Sequence, residues 1–253
     1  MDRALAPFGL AALDALAPAT GEAIVDVGCG AGSTLLQIAA RVGGSGRVVG
    51  LDVSRPLLSR ARELTSHLPN VALVEGDAAT QAFSEPFQGL YSRFGVMFFA
   101  DPLAAFTSLR AALVPEGRLA FVCWQALEDN PWCYLPLVVT RALLPEPPFV
   151  LDPTAPRPFA FASPARLTGV LRGAGYHRIE LEAFRTEVTL ADEGLAAAVD
   201  FSFQLGPVAR LLAEQPDPIR ALVRQRIGER LAPLLRDGRV ELEGAAWLVT
   251  ARA

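Results

Sequence analysis

The first half of the chain alternates short apolar runs with amphipathic stretches. Between 33 and 42, for example, Leu35, Leu36, Ala39 and Val42 recur at helical spacing. Short apolar strands separated by such helices are typical of a parallel sheet that helices cover on both faces. After an N-terminal helix, the pattern predicts strands over 23–28, 47–53, 71–77, 89–94 and 118–124, and helices over 33–42, 54–68 and 101–113.

This alternation ends near residue 125, where proline and aromatic residues become frequent. We interpret the change as the start of an inserted lid, after which the sheet-forming pattern resumes and is interrupted once more by helices. The pattern predicts a core over 1–125, a lid over 126–165, a core helix and sixth strand (178–184) over 163–190, a helical insertion over 191–240, and a last strand over 241–253.

Composition and charge exclude several classes of function. All 23 basic residues are arginine, so Schiff-base chemistry on lysine and a phosphate-loop lysine are both excluded. The net charge of −4 is spread evenly, which leaves nucleic acid no basic surface to bind. No apolar stretch reaches the roughly 18 residues of a membrane span. We therefore expect neither nucleic acid nor membranes as partners. A cytoplasmic protein, as the cysteine usage indicates, that is monomeric or homodimeric completes the expectation.

Cysteine and histidine usage predicts neither disulfides nor a metal site. Cys29, Cys123 and Cys133 are an odd number without metal-ligand spacing, and the two histidines complete no zinc pattern. We interpret Cys123 and Cys133 as small packing residues. His67 is interpreted as a surface residue, and for His177 a role as catalytic base is the less favoured interpretation. No catalytic residue is nominated.

The segment "IVDVGCGAGST" (24–34) predicts a ligand-binding turn between the first strand and the first core helix. A dinucleotide-binding turn needs G-x-G-x-x-G, but the position of the third glycine holds Ser33. Glycines after a strand let the backbone approach a ligand and point helix N–H groups at it, which suits a carboxylate as well as a phosphate. The acid at Asp26 suits a ligand that also carries an ammonium group.

The same segment resembles motif I of the class I S-adenosylmethionine-dependent methyltransferases. "VVGLDVS", "VEGDAA" and "LYSRFGVMFFADP" resemble the later motifs in order, and the likeness extends from about 20 to 125. Within that class, the motifs most resemble those of bacterial small-molecule enzymes, including ubiquinone and menaquinone methyltransferases. The resemblance implies a doubly wound, seven-stranded, mostly parallel Rossmann-like sheet with an antiparallel last strand and an inserted helical cap, and S-adenosylmethionine as cofactor.

The resemblance also implies roles for residues at the strand ends. Asp52 matches the acid that accepts from both ribose hydroxyls, and Asp77 with the Ala78 backbone matches the adenine site. For Ser92 and Arg93, contact with the methionine end is one possibility, and an arginine that braces its loop through Asp101 is the other. The implied cofactor-binding set is Asp26, Gly28, Cys29, Gly30, Gly32, Asp52, Val53, Asp77, Ala78, Ser92 and Arg93.

The chain departs from the family pattern on the acceptor side. Gln88 replaces an acid of the fourth strand, and Met97 and Phe98 stand where many relatives carry two histidines, so no family base carries over. The segment before motif I is short, which predicts a shortened cover over the cofactor. Aromatic residues and one glutamine are the candidates for an acceptor pocket: Trp124, Trp132 and Phe201 first, then Tyr134, Phe149, Phe159, Phe161, Phe203 and Gln204.

These features together predict transfer of a methyl group from S-adenosylmethionine to a small, partly apolar or aromatic acceptor by in-line displacement. Two alternatives stay open at this point. The missing base leaves room for a non-catalytic cofactor-binding regulator or partner subunit. A nicotinamide-dependent oxidoreductase is the other alternative, and Ser33 counts against it.

Overall fold

The strands form one mixed sheet in the order β3-β2-β1-β4-β5-β8-β6, with the short β7 paired to β8. The structure, a computed structural model, describes residues 2–144 and 157–253. The strands are β1 (Ala23–Val27), β2 (Arg47–Asp52), β3 (Val71–Glu75), β4 (Phe87–Arg93), β5 (Leu113–Trp124), β6 (His177–Ala191), β7 (Leu235–Arg236) and β8 (Arg239–Arg252). The predicted doubly wound sheet of seven strands is confirmed, with β7 as a two-residue addition.

Helices cover both faces of this sheet. They are α1 (Asp2–Leu16), α2 (Ser33–Val42), α3 (Arg55–Thr65), α4 (Pro102–Ala111), α5 (Pro131–Ala142), α6 (Pro164–Gly173), α7 (Leu195–Gln204), α8 (Gly206–Leu212) and α9 (Asp217–Leu231). Side chains alternate between faces along a strand, so Phe121 and Trp124 of β5 point in opposite directions. Phe121 packs against Phe106 of α4, and Trp124 packs against Phe8 of α1. Thus α1 and α4 lie on opposite faces.

The last strand, β8, lies between β5 and β6 and runs antiparallel to both. The pairing of β6 with β8 continues as far as Ala191, whereas the sequence predicted that the sixth strand ends at 184. Beyond that point Glu187 lies opposite Glu243 on one face of the two strands, while Val188 and Leu190 are buried on the other face. The alternation of these two apolar residues with polar ones is typical of a strand, and it is the signal that the prediction missed.

The lid and the helical insertion, far apart in sequence, pack against each other. Helix α5 of the lid contacts α8 and α9 of the insertion, and it also contacts β8. Within the part of the chain that the structure describes, no single helix has the length and apolarity to cross a membrane, although the bent pair of α7 and α8 together meets both criteria. Phe149, one of the aromatic candidates, lies outside the described residues.

Candidate active site

The glycine loop (Gly28–Gly32) leaves the carboxyl end of β1 and leads into α2. Gly28 has a φ of +73°, and a Cβ placed there would lie 2.7 Å from the Gly95 Cα. The loops that follow β1 and β4 therefore approach each other through their backbones. Gly30 also has a positive φ, of +56°, but apart from its chain neighbours no described residue has an atom within 4 Å of its Cβ position. The loop therefore packs against protein at Gly28 but leaves space beside Gly30, as a ligand-binding loop requires.

Asp52 ends β2 beside the open part of the glycine loop. Its Oδ2 accepts a hydrogen bond from the Gly30 N–H and its Oδ1 accepts one from the Ser54 N–H, both at 2.8 Å. A carboxylate accepts about four hydrogen bonds, so two positions remain for ribose hydroxyls. Val53, the next residue, is 71% exposed and offers an apolar surface that a purine ring would cover. This arrangement fits the nucleoside half of S-adenosylmethionine.

Asp26 lies buried at the end of β1 and accepts a hydrogen bond from the Thr34 hydroxyl of α2. Its other oxygen, Oδ1, has no hydrogen-bond partner among the described residues. Burial raises the Asp26 pKa to about 7, the charge of Asp52 adds to the rise, and Thr34 and Arg93 oppose it. A buried carboxyl with one orphaned oxygen fits a ligand that carries an ammonium group.

Other residues of the expected cofactor site contribute in different ways. The Cys29 sulfur lies where a Cβ on Gly50 would meet it at 2.9 Å, so the side chain packs against β2 and leaves only its backbone for a ligand. Burial also raises the pKa of the Cys29 thiol, which keeps it protonated. Asp77 is exposed and accepts from the Ala79 N–H at 2.9 Å, while Ala78 is buried beneath this turn.

Ser92 joins the ends of β1 and β4. Its buried hydroxyl donates to the Val27 carbonyl at 2.6 Å and accepts from the Gly95 N–H at 3.2 Å. Both of these partners adjoin the glycine loop. The side chain of Ser92 therefore supports the glycine loop from the protein interior. Because it is buried, it has no exposed atom that could bind a ligand.

Arg93 reaches the amino end of α2, where it hydrogen-bonds the Ser33 hydroxyl at 3.0 Å. It also pairs with Asp2 of α1, whose Oδ1 accepts from the same hydroxyl. The alternative in which Arg93 braces its loop through Asp101 is wrong, because Asp101 instead caps α4 by accepting from the Ala104 N–H. The amino end of α1 thus lies over the start of α2.

Trp124 and Trp132, two of the three main acceptor candidates, are buried. Trp124 stacks on Phe94 with ring centroids 4.0 Å apart, and the Trp132 Nε1 donates to the Asn130 side chain at 2.9 Å. Phe201 lies half-buried on α7. These three side chains do not line the large apolar cavity at this end of the sheet.

That cavity has a volume of about 760 Å³ and lies at the carboxyl ends of β4 and β5, between the lid and the helical insertion. Its apolar lining includes Phe98, Leu127, Leu137 and Phe159. Phe98 is 54% exposed although it is aromatic, and it stands at one of the two positions expected for histidine. The sequence marked Phe98 only as a departure from the family and missed it as a lining residue.

The remaining titratable candidates lie elsewhere or form no cluster. His177 begins β6, at the edge of the sheet opposite to the glycine loop, and pairs with Glu116 at 3.0 Å. This position removes it as a base for the site. Within 2–144 and 157–253, no three histidine, cysteine or acidic residues are grouped to hold a metal ion. The three cysteines are buried and free.

The fold and the site define a nucleoside-binding α/β protein whose ligand crevice lies at the carboxyl ends of the strands. The methyltransferase domain family matches residues 24–117. The chain is 32% identical over 176 residues to the 2-phytyl-1,4-naphtoquinone methyltransferase of Thermosynechococcus vestitus, a match that spans 67% of this chain and 78% of that protein. The chain therefore belongs to the class I S-adenosylmethionine-dependent methyltransferases of the small-molecule type.

Two further similarities agree with this family. The chain is 28% identical over 212 residues to the nocamycin O-methyltransferase of Saccharothrix syringae, covering 79% of this chain and 74% of that protein. Two further curated relatives are matched over 54% and 38% of their own length. A phosphoethanolamine N-methyltransferase of Haemonchus contortus, solved with phosphomonomethylethanolamine and S-adenosylhomocysteine, shares the fold with a TM-score of 0.56 at 19% identity, over 97% of this chain and 52% of that one.

These findings confirm the expected enzyme class and its cofactor, S-adenosylmethionine. They do not support the nicotinamide-dependent alternative. They leave the acceptor molecule and the roles of individual residues as proposals.

Proposed function

We propose that the protein methylates a small molecule with a largely apolar or aromatic body, and that this acceptor binds in the cavity between the lid and the helical insertion. The observation that carries the proposal is the position of the cavity, at the same carboxyl edge of the sheet as the glycine loop. A volume of about 760 Å³ suits a small molecule. The naphthoquinone and nocamycin methyltransferases among the relatives support an acceptor of this kind.

In this proposal the two halves of the crevice hold the two halves of the cofactor. The glycine loop and Asp26 bind the methionine part, Asp52 binds the ribose, and Val53 with Asp77 and Ala78 borders the adenine. The cofactor supplies a methyl group on a sulfonium ion, which an acceptor atom displaces in line. The task of this chain is then to hold the acceptor in alignment and to exclude water, as the cover of lid and insertion allows.

The lining of the cavity favours an acceptor that needs little help to lose its proton. Among the described lining residues, Glu128 is the sole carboxylate, and histidine and tyrosine are absent. An acidic phenol or an activated carbon loses its proton without a strong base, so alignment suffices. We therefore propose that positioning supplies most of the rate enhancement.

The first test is calorimetric titration with S-adenosylhomocysteine. We expect micromolar affinity, and Asp52→Ala should weaken it at least roughly tenfold because the ribose hydroxyls and the Gly30 N–H lose their acceptor. Asp217→Ala, which removes an exposed acid at the start of α9, is the matched control and should bind like the wild type. Equal affinity in Asp52→Ala and the control would contradict the proposed ribose site.

The second test is a methyl-transfer screen by mass spectrometry across phenols, amines and quinones. A product heavier by one methylene unit in the wild type, and reduced in Asp52→Ala, is the expected result. Cofactor binding without any methylated product would instead favour the regulatory role.

A further inference from the structure

Four arginines from four separate segments line the cavity that we assign to the acceptor. Arg141 lies in the last turn of α5, Arg157 precedes the loop into α6, Arg166 lies in α6 and Arg210 in α8. Glu128 is the sole acidic side chain among the described lining residues. Like charges that converge on one apolar cavity repel each other, and the repulsion is relieved when an anion binds between them.

Three of the cavity arginines, Arg141, Arg157 and Arg166, are half-buried and differ from most other half-buried arginines of the chain; Arg210 is exposed. Arg93 pairs with Asp2, and Arg118 pairs with Glu22. By contrast, within the described ranges the four cavity arginines form no ion pair. The Nε atoms of Arg141, Arg157 and Arg166 are buried, and no described residue accepts a hydrogen bond from them, as is also true of the Arg118 Nε.

A buried guanidinium nitrogen without an acceptor costs free energy unless a ligand supplies one. Guanidinium groups match the paired oxygens of a carboxylate or a phosphate. The backbone of Arg157 is anchored to the turn that follows β4, since its backbone N–H donates to the Met97 carbonyl at 3.3 Å. The cavity therefore offers an anion-binding group of side chains beside an apolar wall.

We propose that the acceptor carries an anionic oxygen group, a carboxylate or a phosphate ester, which these arginines bind while its apolar body lies against Phe98 and Phe159. This inference rests on the proposed function, because it assigns the acceptor to this cavity. It narrows the substrate class to apolar or aromatic acids. The neutral forms of the same molecules offer these guanidinium groups no charged acceptor and bind more weakly.

The test uses 2-naphthoate, 2-naphthyl phosphate and methyl 2-naphthoate as probes, with the protein saturated by S-adenosylhomocysteine and binding followed by calorimetry. At least one anion should bind roughly tenfold or more tightly than the neutral ester, and the tighter anion identifies the preferred group. Arg166→Gln should reduce this preference to within about threefold. Arg172→Gln, an exposed arginine of the same helix outside the cavity, is the matched control and should keep the preference.

Arg210→Gln is a second variant at an exposed position of α8, so a folding defect in Arg166→Gln does not end the test. It should also lower the preference for the anion. Equal binding of the ester and both anions, binding of no anion at all, or equal losses in Arg166→Gln and Arg172→Gln would each overturn the inference. Failure of S-adenosylhomocysteine to bind in the same samples is a separate result, and it would overturn the proposed function instead.

Discussion

The cofactor crevice and the acceptor cavity share one edge of the sheet, but they are built in opposite ways. The glycine loop is a continuous segment whose shape comes from backbone angles and from contact between Gly28 and Gly95. The cavity is assembled from side chains of segments far apart in sequence, from Phe98 to Leu211. A site made of local backbone can be recognised in a sequence, whereas a site made of distant side chains cannot. Experiments on either region should affect the two sites differently.

The largest expected effect concerns Asp26 and pH. An acid whose pKa is raised by folding from 3.8 to about 7 keeps its proton in the native state between pH 4 and 7, where the unfolded chain has released it. Stability therefore falls as pH rises through this window, by up to about 4 kcal/mol at about 1.4 kcal/mol per pH unit. Asp26→Asn should lack this fall in urea denaturation, while the control Asp217→Asn should retain it. Parallel pH profiles of Asp26→Asn and wild type would contradict the expectation.

The next effect in size is that of Gly28→Ala. The added methyl group would lie 2.7 Å from the Gly95 Cα in a backbone conformation that disfavours a side chain. We expect a loss of roughly 3 kcal/mol in the free energy of unfolding and at least tenfold weaker S-adenosylhomocysteine binding. Urea denaturation and calorimetry measure both. Unchanged stability would mean that the two loops are not in backbone contact.

Asn130→Ala tests the acceptor cavity as Gly28→Ala tests the cofactor crevice. The buried Asn130 side chain accepts from the Trp132 Nε1 and the Ala245 N–H and donates to the Ala126 and Ala245 carbonyls, which ties the lid to β8. Asn130→Ala should cost roughly 2 kcal/mol of stability because buried polar groups lose their partners. It should weaken 2-naphthoate binding but leave S-adenosylhomocysteine binding within about twofold. Equal losses for both ligands would show that lid and crevice are coupled.

Gly30→Ala should have the smallest effect on stability, about 1 kcal/mol, because its positive φ is unfavourable for alanine but no protein atom obstructs the new methyl group. Its effect on binding should nevertheless be large, at least roughly tenfold, if the ligand occupies that open space. Wild-type affinity in Gly30→Ala would place the ligand elsewhere. Together, the two glycine variants separate packing of the loop from contact with the ligand.

The contrast between the two sites also explains which features could be predicted from the sequence. The strands, the glycine loop and the acids at the strand ends could be predicted, because apolar periodicity and local motifs encode them. The length of β6 was missed because the two buried apolar residues of its outer half, Val188 and Leu190, stand among polar and charged residues, which makes the alternation short. The partner of Arg93 was missed because Asp2 is distant in sequence, and the cavity arginines because their convergence depends on how the lid packs on the helical insertion.

The insertion of β8 between β5 and β6 has a consequence for the order of assembly during synthesis. Among the described residues, the sheet neighbour of β6 is β8, which follows it in the chain and is therefore synthesised later. While the chain is still being made, the nucleoside-binding half can form, but β6 and the hydrogen bonds of Asn130 to Ala245 must wait for β8. A variant that lacks β8 would therefore keep the cofactor crevice but would not complete the wall of the acceptor cavity.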